Sequence, residues 1–508
     1  MHLSEGARIL ARKNKQIQSR KSCVSFSKFV SYQATLAALT FACGMLTQSE
    51  TADAVPSFAR QTGYYCSTCH TVQPELTPFG RQFKLNGYTQ GGTRCGDIRK
   101  VFGNSTSDPE WSGANLSMWL LGDFNHFAKA LPASPGNGLP TNNIVDFSDA
   151  SIFFNGQVYC NLGVFSQFSY SSTGSPQGTG QIFWDNTELR YSDKAKIAGN
   201  DVVWGILGNN NPGMQDVWNT VPAWAYPWVP VDISAGGPPG TMIEGRFAQR
   251  AYSAGAYVWV NNMFYAELTA YRAYDWNMQQ ATGFNPTDGL SRIDGLAPYW
   301  RLAIEKTWNE NSLEVGTYGM YAAQMPTTVG TGLLTFPGFT DKFLDVAVDA
   351  QYQYIGPVHA FTARAYFIQE WQRLDSTYFG SLALTGAPGA SKPDQTLSSF
   401  NISGSYIYDR HISLTADYFD VRGSSDATYW NAVTGNVNSR PDTNGISFDL
   451  AYVPFPYGGP DLWPWLNARI GVLYTHFNKL NGSSANFDGA GTNARDADQV
   501  FLYSWVDF

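Results

Sequence analysis

Beyond about residue 113, hydrophobic and polar residues alternate with a period of two. Leu344, Val346, Val348, Ala350, Tyr352 and Tyr354 interleave with Phe343, Asp345, Ala347, Asp349, Gln351 and Gln353. Ile412, Leu414, Ala416 and Tyr418 interleave with His411, Ser413, Thr415 and Asp417, and Ile446, Phe448, Leu450 and Tyr452 with Ser447, Asp449 and Ala451. Successive side chains of a strand point to opposite faces, so each segment presents one apolar and one polar face. Alternating runs of about ten residues suit a transmembrane barrel, apolar toward lipid and polar toward the lumen. A soluble sandwich alternates in the same way, but its strands average about 5–6 residues.

The connections discriminate better than the strands. Tight turns are predicted at Asn155-Gly156, 194–199, Asn261-Asn262, 308–311, Gly356-Pro357, Asp409-Arg410 and 455–464. Between them lie long Gly/Pro/Ser/Asn-rich loops near 125–144, 171–180, 210–248, 275–297, 324–341, 371–396, 422–442 and 479–497. Short and long connections alternate strictly, which predicts an all-β, antiparallel transmembrane barrel of about 16 strands. Short periplasmic turns and long outer loops are the rule for such barrels, whereas loops of this length are uncommon in soluble domains. The last strand, Val500, Leu502, Ser504, Val506 and Phe508, ends on an aromatic and resembles the C-terminal assembly signal of bacterial outer-membrane proteins.

Composition agrees. The 508 residues are 15% aromatic and 15% charged, with 49 glycines. That charged share is low against the roughly 25% of soluble domains. A mean hydropathy of -0.25 excludes a polytopic helical membrane protein. The formal net charge of -8 disfavours nucleic acid as a partner. Residues 1–54 read as a signal peptide. Basic residues from Arg8 to Lys28 precede an apolar run, Ala34–Leu46, and Ala52-Asp53-Ala54 offers a small-residue cleavage site. The run is too short to span a bilayer, which needs about 20 apolar residues. The expected organisation is a signal peptide at 1–54, a small, mostly α/coil haem segment at 55–112 that plugs the barrel lumen or sits on its periplasmic side, and an outer-membrane barrel at 113–508.

The haem expectation rests on Cys66-Ser67-Thr68-Cys69-His70. Two thiols separated by two residues can reach the two vinyl groups of one porphyrin, and the adjacent imidazole then falls under the iron. Cys66 and Cys69 are thus candidates for covalent attachment of one haem c, with His70 as proximal ligand. A redox dithiol or a zinc half-site is the bland alternative. No second Cys/His pair is near, and no βαβ context surrounds the motif. Thr77-Pro78 and Asn86-Gly87 bracket a short helix with Phe79 and Phe83 on one face, suited either to a haem edge or to plain packing. Arg81 and Lys84 could pair with propionates, although a solvated face is the simpler role. Between Thr71 and Ser117 there is no Met or His, so the iron is five-coordinate, unusually ligated, or bound by the following segment, where Met118 and His126 are the first candidates. Cys95 and Cys160 are candidates for a disulfide tying this segment to the barrel, as an oxidising compartment permits.

Residues 56–63, Pro-Ser-Phe-Ala-Arg-Gln-Thr-Gly, then the CSTCH motif and Pro-Glu-Leu-Thr-Pro-Phe-Gly-Arg-Gln-Phe-Lys-Leu-Asn-Gly-Tyr at 74–88, resemble the fused monohaem cytochrome–porins of the bacterial outer membrane. The best known of these are the iron-oxidising outer-membrane cytochromes. The resemblance implies that Fe(II) outside the cell gives its electron to the single haem, which passes it to a periplasmic carrier such as a soluble c-type cytochrome or a copper protein. Ferric products precipitate at neutral pH, so oxidation at the outer surface keeps mineral out of the periplasm. Asp345, Asp349, Asp417 and Asp449 could draw Fe(II) inward, against the plainer reading that barrel lumens are polar in any case. Two other readings stay open: a haem conduit for another extracellular donor or acceptor, and a diffusion porin plugged by the haem segment. The aromatic stretch Trp218–Trp228, in the longest loop, is a candidate to fold into the barrel mouth.

Overall fold

The computed structural model describes residues 56–89, 115–132, 138–171, 181–218, 239–282, 292–325, 339–382, 386–434, 438–458 and 466–508. All of these belong to one compact unit, Thr51–Phe508. The expected signal peptide and Cys95 lie outside the described residues.

Strands β1 (Leu116–Phe127), β2 (Ile144–Tyr159), β3 (Leu162–Ser171), β4 (Gln181–Ile197), β5 (Asn200–Asn209), β6 (Ala251–Val260) and β7 (Phe264–Ala273) form the first run of antiparallel neighbours. Next come β8 (Arg292–Asp294) and β9 (Ala297–Trp308), which pair in succession with β10 (Asn311–Met325) and so make one interrupted stave. The wall continues through β11 (Asp341–Ile355), β12 (His359–Leu374), β13 (Asp394–Tyr408), β14 (Ile412–Gly423), β15 (Thr443–Tyr452), β16 (Asn467–Lys479) and β17 (Gln499–Asp507). Pairing of β17 with β1, from Trp119↔Asp507 to Phe127↔Gln499, closes the sheet. The protein is therefore a closed antiparallel barrel of sixteen staves.

The two faces match the alternation read from the sequence. Outside, Leu268, Leu302, Ile304, Val315, Val348 and Leu414 are exposed, as lipid contact requires. Tyr159, Trp308, Tyr354, Tyr406, Tyr408 and Tyr452, also exposed, form an aromatic girdle beside the short turns. Inside, Asp345, Asp349, Gln351 and Gln353 of β11 are buried. The acidic residues expected to draw cations inward are engaged with neighbours. Asp349 lies 2.6 Å from Arg301 and Asp449 2.7 Å from Arg469. Asp345 accepts from the Ile243 amide at 2.8 Å, and Asp417 from the Asn401 side chain at 2.7 Å.

The short turns fall where expected at Ala198-Gly199, Asn261-Asn262, Asn309-Glu310, Gly356-Pro357 and Asp409-Arg410. Ala198 and Gly199, at φ +49° and +83° between the paired Ile197 and Asn200, make the two-residue hairpin of type I′. Asn261, Asn262, Asp409 and Arg410, at φ between +48° and +57°, lie instead in three-residue connections between Val260 and Phe264 and between Tyr408 and Ile412. The exception is Asn155-Gly156. Both residues lie within β2, opposite Phe165 and Val164, and the hairpin is at Cys160-Asn161. The reason is tertiary. Gln61 donates to the Asn155 carbonyl at 2.8 Å and accepts from the Gln157 amide at 3.0 Å. A Cβ at residue 156 would lie 2.0 Å from Gln61 Oε1, so this glycine is where the N-terminal segment docks. Loop limits also shift: β12 runs on to Leu374, inside the loop expected from residue 371.

Two groups of residues enter the lumen. The N-terminal segment, with α1 (Pro56–Thr62), α2 (Cys66–Cys69) and α3 (Pro78–Leu85), occupies the short-turn end. It reaches the wall through Gln61 to β2, Tyr88 to Glu188 on β4 at 2.8 Å, Arg81 to Glu305 on β9, and Glu75 to Arg364 on β12 at 3.6 Å. Arg469 on β16 donates to the Gln73 carbonyl at 3.0 Å. The long connection between β5 and β6 also turns inward. Trp218 is fully buried and donates to Glu305 at 3.0 Å, while the Met242 and Ile243 amides bond Glu370 and Asp345. Of the aromatic stretch expected at the barrel mouth, Trp218 is thus seen inside, and residues 219–228 lie outside the described residues. Among the described residues no helix is long and apolar enough to cross a membrane; the strands make the crossing.

Candidate functional site

The CSTCH segment lies on the lumen side of the wall. Cys66–Cys69 is a single helical turn, closed by the His70 amide donating to the Cys66 carbonyl at 2.7 Å. Residues three apart on a turn share a face, so both sulfurs leave the same side. His70 is extended (φ -125°, ψ 140°) and bridges to Leu76, which carries its imidazole past the end of the turn. Helix α3 is capped as its sequence predicts. The Thr77 hydroxyl accepts from the Gly80 amide at 3.1 Å, Pro78 opens the first turn, and Gly87 ends the helix at φ +72°.

Packing between α2 and α3 depends on Gly80. A Cβ there would lie 2.2 Å from the Cys69 carbonyl oxygen. Gly80→Ala is therefore expected to destabilise the docked segment by about 1–3 kcal/mol, the usual cost of overpacking. Thiol labelling of Cys66 and Cys69 in the haem-free chain should speed up about tenfold or more, and an unchanged rate would show that the helices have room to part.

A cavity with about 1120 Å³ of empty space, part of it open to solvent, adjoins Cys69 and His70. Its lining is mostly apolar and aromatic, with Phe58, Phe83, Trp119, Phe153, Phe165 and Trp505. Phe83 meets Phe58 edge-on at 5.3 Å, so of the expected pair Phe83 faces the cavity, while Phe79 turns to Tyr64 at 5.1 Å and is 38% exposed. Burial pushes the His70 pKa down to about 4, partly offset by backbone hydrogen bonds at Pro74 and Glu75. The imidazole is neutral at neutral pH, the form that binds a metal. Burial pushes the Cys69 thiol up to about 12, the reverse of the depressed thiol pKa of a dithiol redox centre. Neither Cys66 nor Cys69 forms a disulfide, and Gln73 and Asn467 donate to the Cys66 sulfur at 3.4 and 3.7 Å. Two cysteines outside any disulfide, a neutral imidazole and a mostly aromatic cavity are chemically suited to a haem c.

The cations expected on a solvated face are buried. Arg81 donates to Glu305 at 3.1 Å, Gln351 at 3.0 Å and Gln353 at 2.8 Å, and Lys84 to the Met214 carbonyl at 2.6 Å. The two expected distal candidates part company. Met118 borders the cavity, but it lies on the strand face of Leu116 and Leu120, opposite to buried Ser117 and Trp119. It is paired with Ile152, which is 47% exposed on the lipid side. His126 is eight residues further along β1, about 27 Å at the rise of an extended strand, and its ring bonds Asn143 at 2.8 Å. Sequence reasoning missed Met214, which lines the cavity and is 1% exposed. Its only sequence signal is its place in the longest loop. Cys160 is disulfide-bonded; Cys95, its expected partner, lies outside the described residues. Among the described residues no group of three or more His, Cys, Asp or Glu side chains is arranged to hold a bare metal ion.

Sixteen closed staves, a lipid-facing apolar exterior and a polar lumen define an outer-membrane β-barrel of porin type. No family model matches the chain, and no curated protein does. Similar solved structures include the outer-membrane channel DcaP of Acinetobacter baumannii, at 12% identity over 78% of this chain and 96% of that one, with a TM-score of 0.41. The anion-selective porin of Comamonas acidovorans is 11% identical over 77% and 98% of the two chains, with a TM-score of 0.39. OmpT of Vibrio cholerae is likewise 11% identical, over 77% and 96%, with a TM-score of 0.39. Each is a likeness of fold.

Proposed function

We propose that this outer-membrane barrel carries one haem c, attached through Cys66 and Cys69 with His70 as proximal ligand, and passes electrons between the cell exterior and the periplasm. The observation that carries the reading is the His70 imidazole, held neutral by burial beside two non-disulfide cysteines on one helical turn and bordering an aromatic cavity inside the lumen. When bound, the haem would exchange one electron at a time. The chain's own residues hold and insulate it. The turn aligns the thiols, the extended backbone bridged to Leu76 places the ring, and the aromatic lining borders it. Extracellular Fe(II), a one-electron donor, is the substrate implied by the resemblance of residues 56–88. A periplasmic carrier as acceptor is supported by the contacts of this segment beside the short turns, the periplasmic side by the general rule.

The test is anaerobic mixing of oxidised, detergent-purified protein with Fe(II) while the haem bands are followed. Reduction at a rate rising with Fe(II) concentration is the expected result. Reduction by dithionite but not by Fe(II) at any pH would point to another donor. The barrel alone supports a second reading, a diffusion porin whose lumen segment is a plug or a regulator. Large, steady ion conductance from protein without a haem spectrum would favour it.

A further inference from the structure

The segment proposed to hold the haem, residues 55–112, carries no Met and no His other than His70, so a second side-chain ligand to the iron would have to come from elsewhere in the chain. We propose that Met214, from the long connection between β5 and β6, supplies that ligand through its thioether sulfur. The inference rests on the haem reading above and adds to it the residue that completes the iron.

Met214 borders the same cavity as His70 and is 1% exposed. The chain around it is held firmly. The Met214 amide donates to the Asn211 carbonyl at 3.1 Å, and Gly213, at φ +91°, makes the bend that turns the segment into the lumen. Asp216 pairs with buried Arg301 at 3.1 Å, and Gln215 accepts from Asn209 at 3.1 Å and from Tyr271 at 2.9 Å. Lys84 of α3 donates to the Met214 carbonyl at 2.6 Å, which ties this loop directly to the helix that follows the CSTCH turn. A ligand must be pre-positioned to compete with water, and these bonds fix the backbone on both sides of the sulfur.

The alternatives fit less well. Met118 sits on the lipid-facing side of β1, so ligation would require its strand to turn over, which a one-residue register slip would do only by exposing Trp119 and Leu121. Lys84 borders the cavity, but its amine is engaged with Met214 and would also have to lose its proton. A Met opposite His raises the reduction potential relative to a second imidazole, which suits a centre that must accept an electron from a weak reductant. Because the long loop supplies the sulfur, haem binding would join the lumen segment to the barrel's outer loop system.

The experiment uses the full-length, haem-loaded protein in detergent. Covalent haem is first quantified by staining on a denaturing gel. The ferric protein is then examined by electron paramagnetic resonance and for the red charge-transfer absorption of thioether-ligated iron. A low-spin centre with that band is expected in the wild type. Met214→Leu should keep its covalent haem, lose the band, turn high-spin and show a lower potential, while Met118→Leu keeps the wild-type spectrum. Met214→His should restore a low-spin centre without the band. Retention of the band in Met214→Leu overturns the proposal, as does a wild-type ferric centre that lacks it, a result that needs no variant to fold. Absence of covalent haem from the wild type would instead remove the haem reading itself, and this inference with it.

Discussion

Replacing Cys66 and Cys69 together by Ala is expected to abolish covalent haem on a denaturing gel and all haem absorption of the purified chain, while the barrel still assembles. Both sulfurs leave one helical turn, so either alone would anchor a macrocycle less firmly. Cys69→Ala is accordingly expected to retain a fraction of the wild-type haem. The barrel should survive because its closure depends on strand pairing and on the Trp119–Trp505 contact across the β1–β17 seam, none of which involves the cysteines. Heat-modifiable gel mobility reports assembly separately from haem. A double variant that retained full haem absorption would place the haem elsewhere.

Arg81→Met is expected to undock the lumen segment. The guanidinium is 1% exposed and grips Glu305, whose other hydrogen bonds come from Ser312 at 2.7 Å and Trp218 at 3.0 Å. Removing one member of a buried pair leaves an uncompensated charge, at a cost of about 3–5 kcal/mol. That corresponds to an increase of about two to nearly four orders of magnitude in the undocked population. Residues 56–89 should become sensitive to protease, and planar-bilayer recordings should show more frequent and larger openings. Arg81→Met combined with Glu305→Leu should recover most of the loss, because a matched apolar pair carries no buried charge. Equal protease resistance in Arg81→Met and wild type would mean that Tyr88, Gln61 and Glu75 hold the segment without it.

The same contacts mark where sequence reasoning stops. In Phe343–Tyr354 and Ile446–Tyr452 the period of two is a direct consequence of backbone geometry. Lipid on one side and a polar lumen on the other make the pattern compulsory, so barrel class and stave number are readable from one chain. The helix at Pro78–Leu85 is equally local, since Thr77, Pro78 and Gly87 act within a few residues of themselves. Asn155-Gly156 shows the opposite case. A local rule makes this pair a hairpin, but a glutamine 94 residues earlier in the chain needs the space that its missing Cβ leaves. Arg81 reads as a solvated cation until Glu305, 224 residues away, is brought beside it.

By itself the sequence determined the barrel, its sixteen staves and the thiol–thiol–imidazole spacing, because each is written in neighbours a few residues apart. Only the tertiary structure decided that the CSTCH segment lies in the lumen, which charges neutralise one another there, and that of the residues bordering the cavity Met214 is buried in the lumen while Met118 lies on the lipid-facing side of its strand. Those outcomes depend on which strand face a residue occupies and which distant loop folds inward. Neither leaves a mark in local spacing.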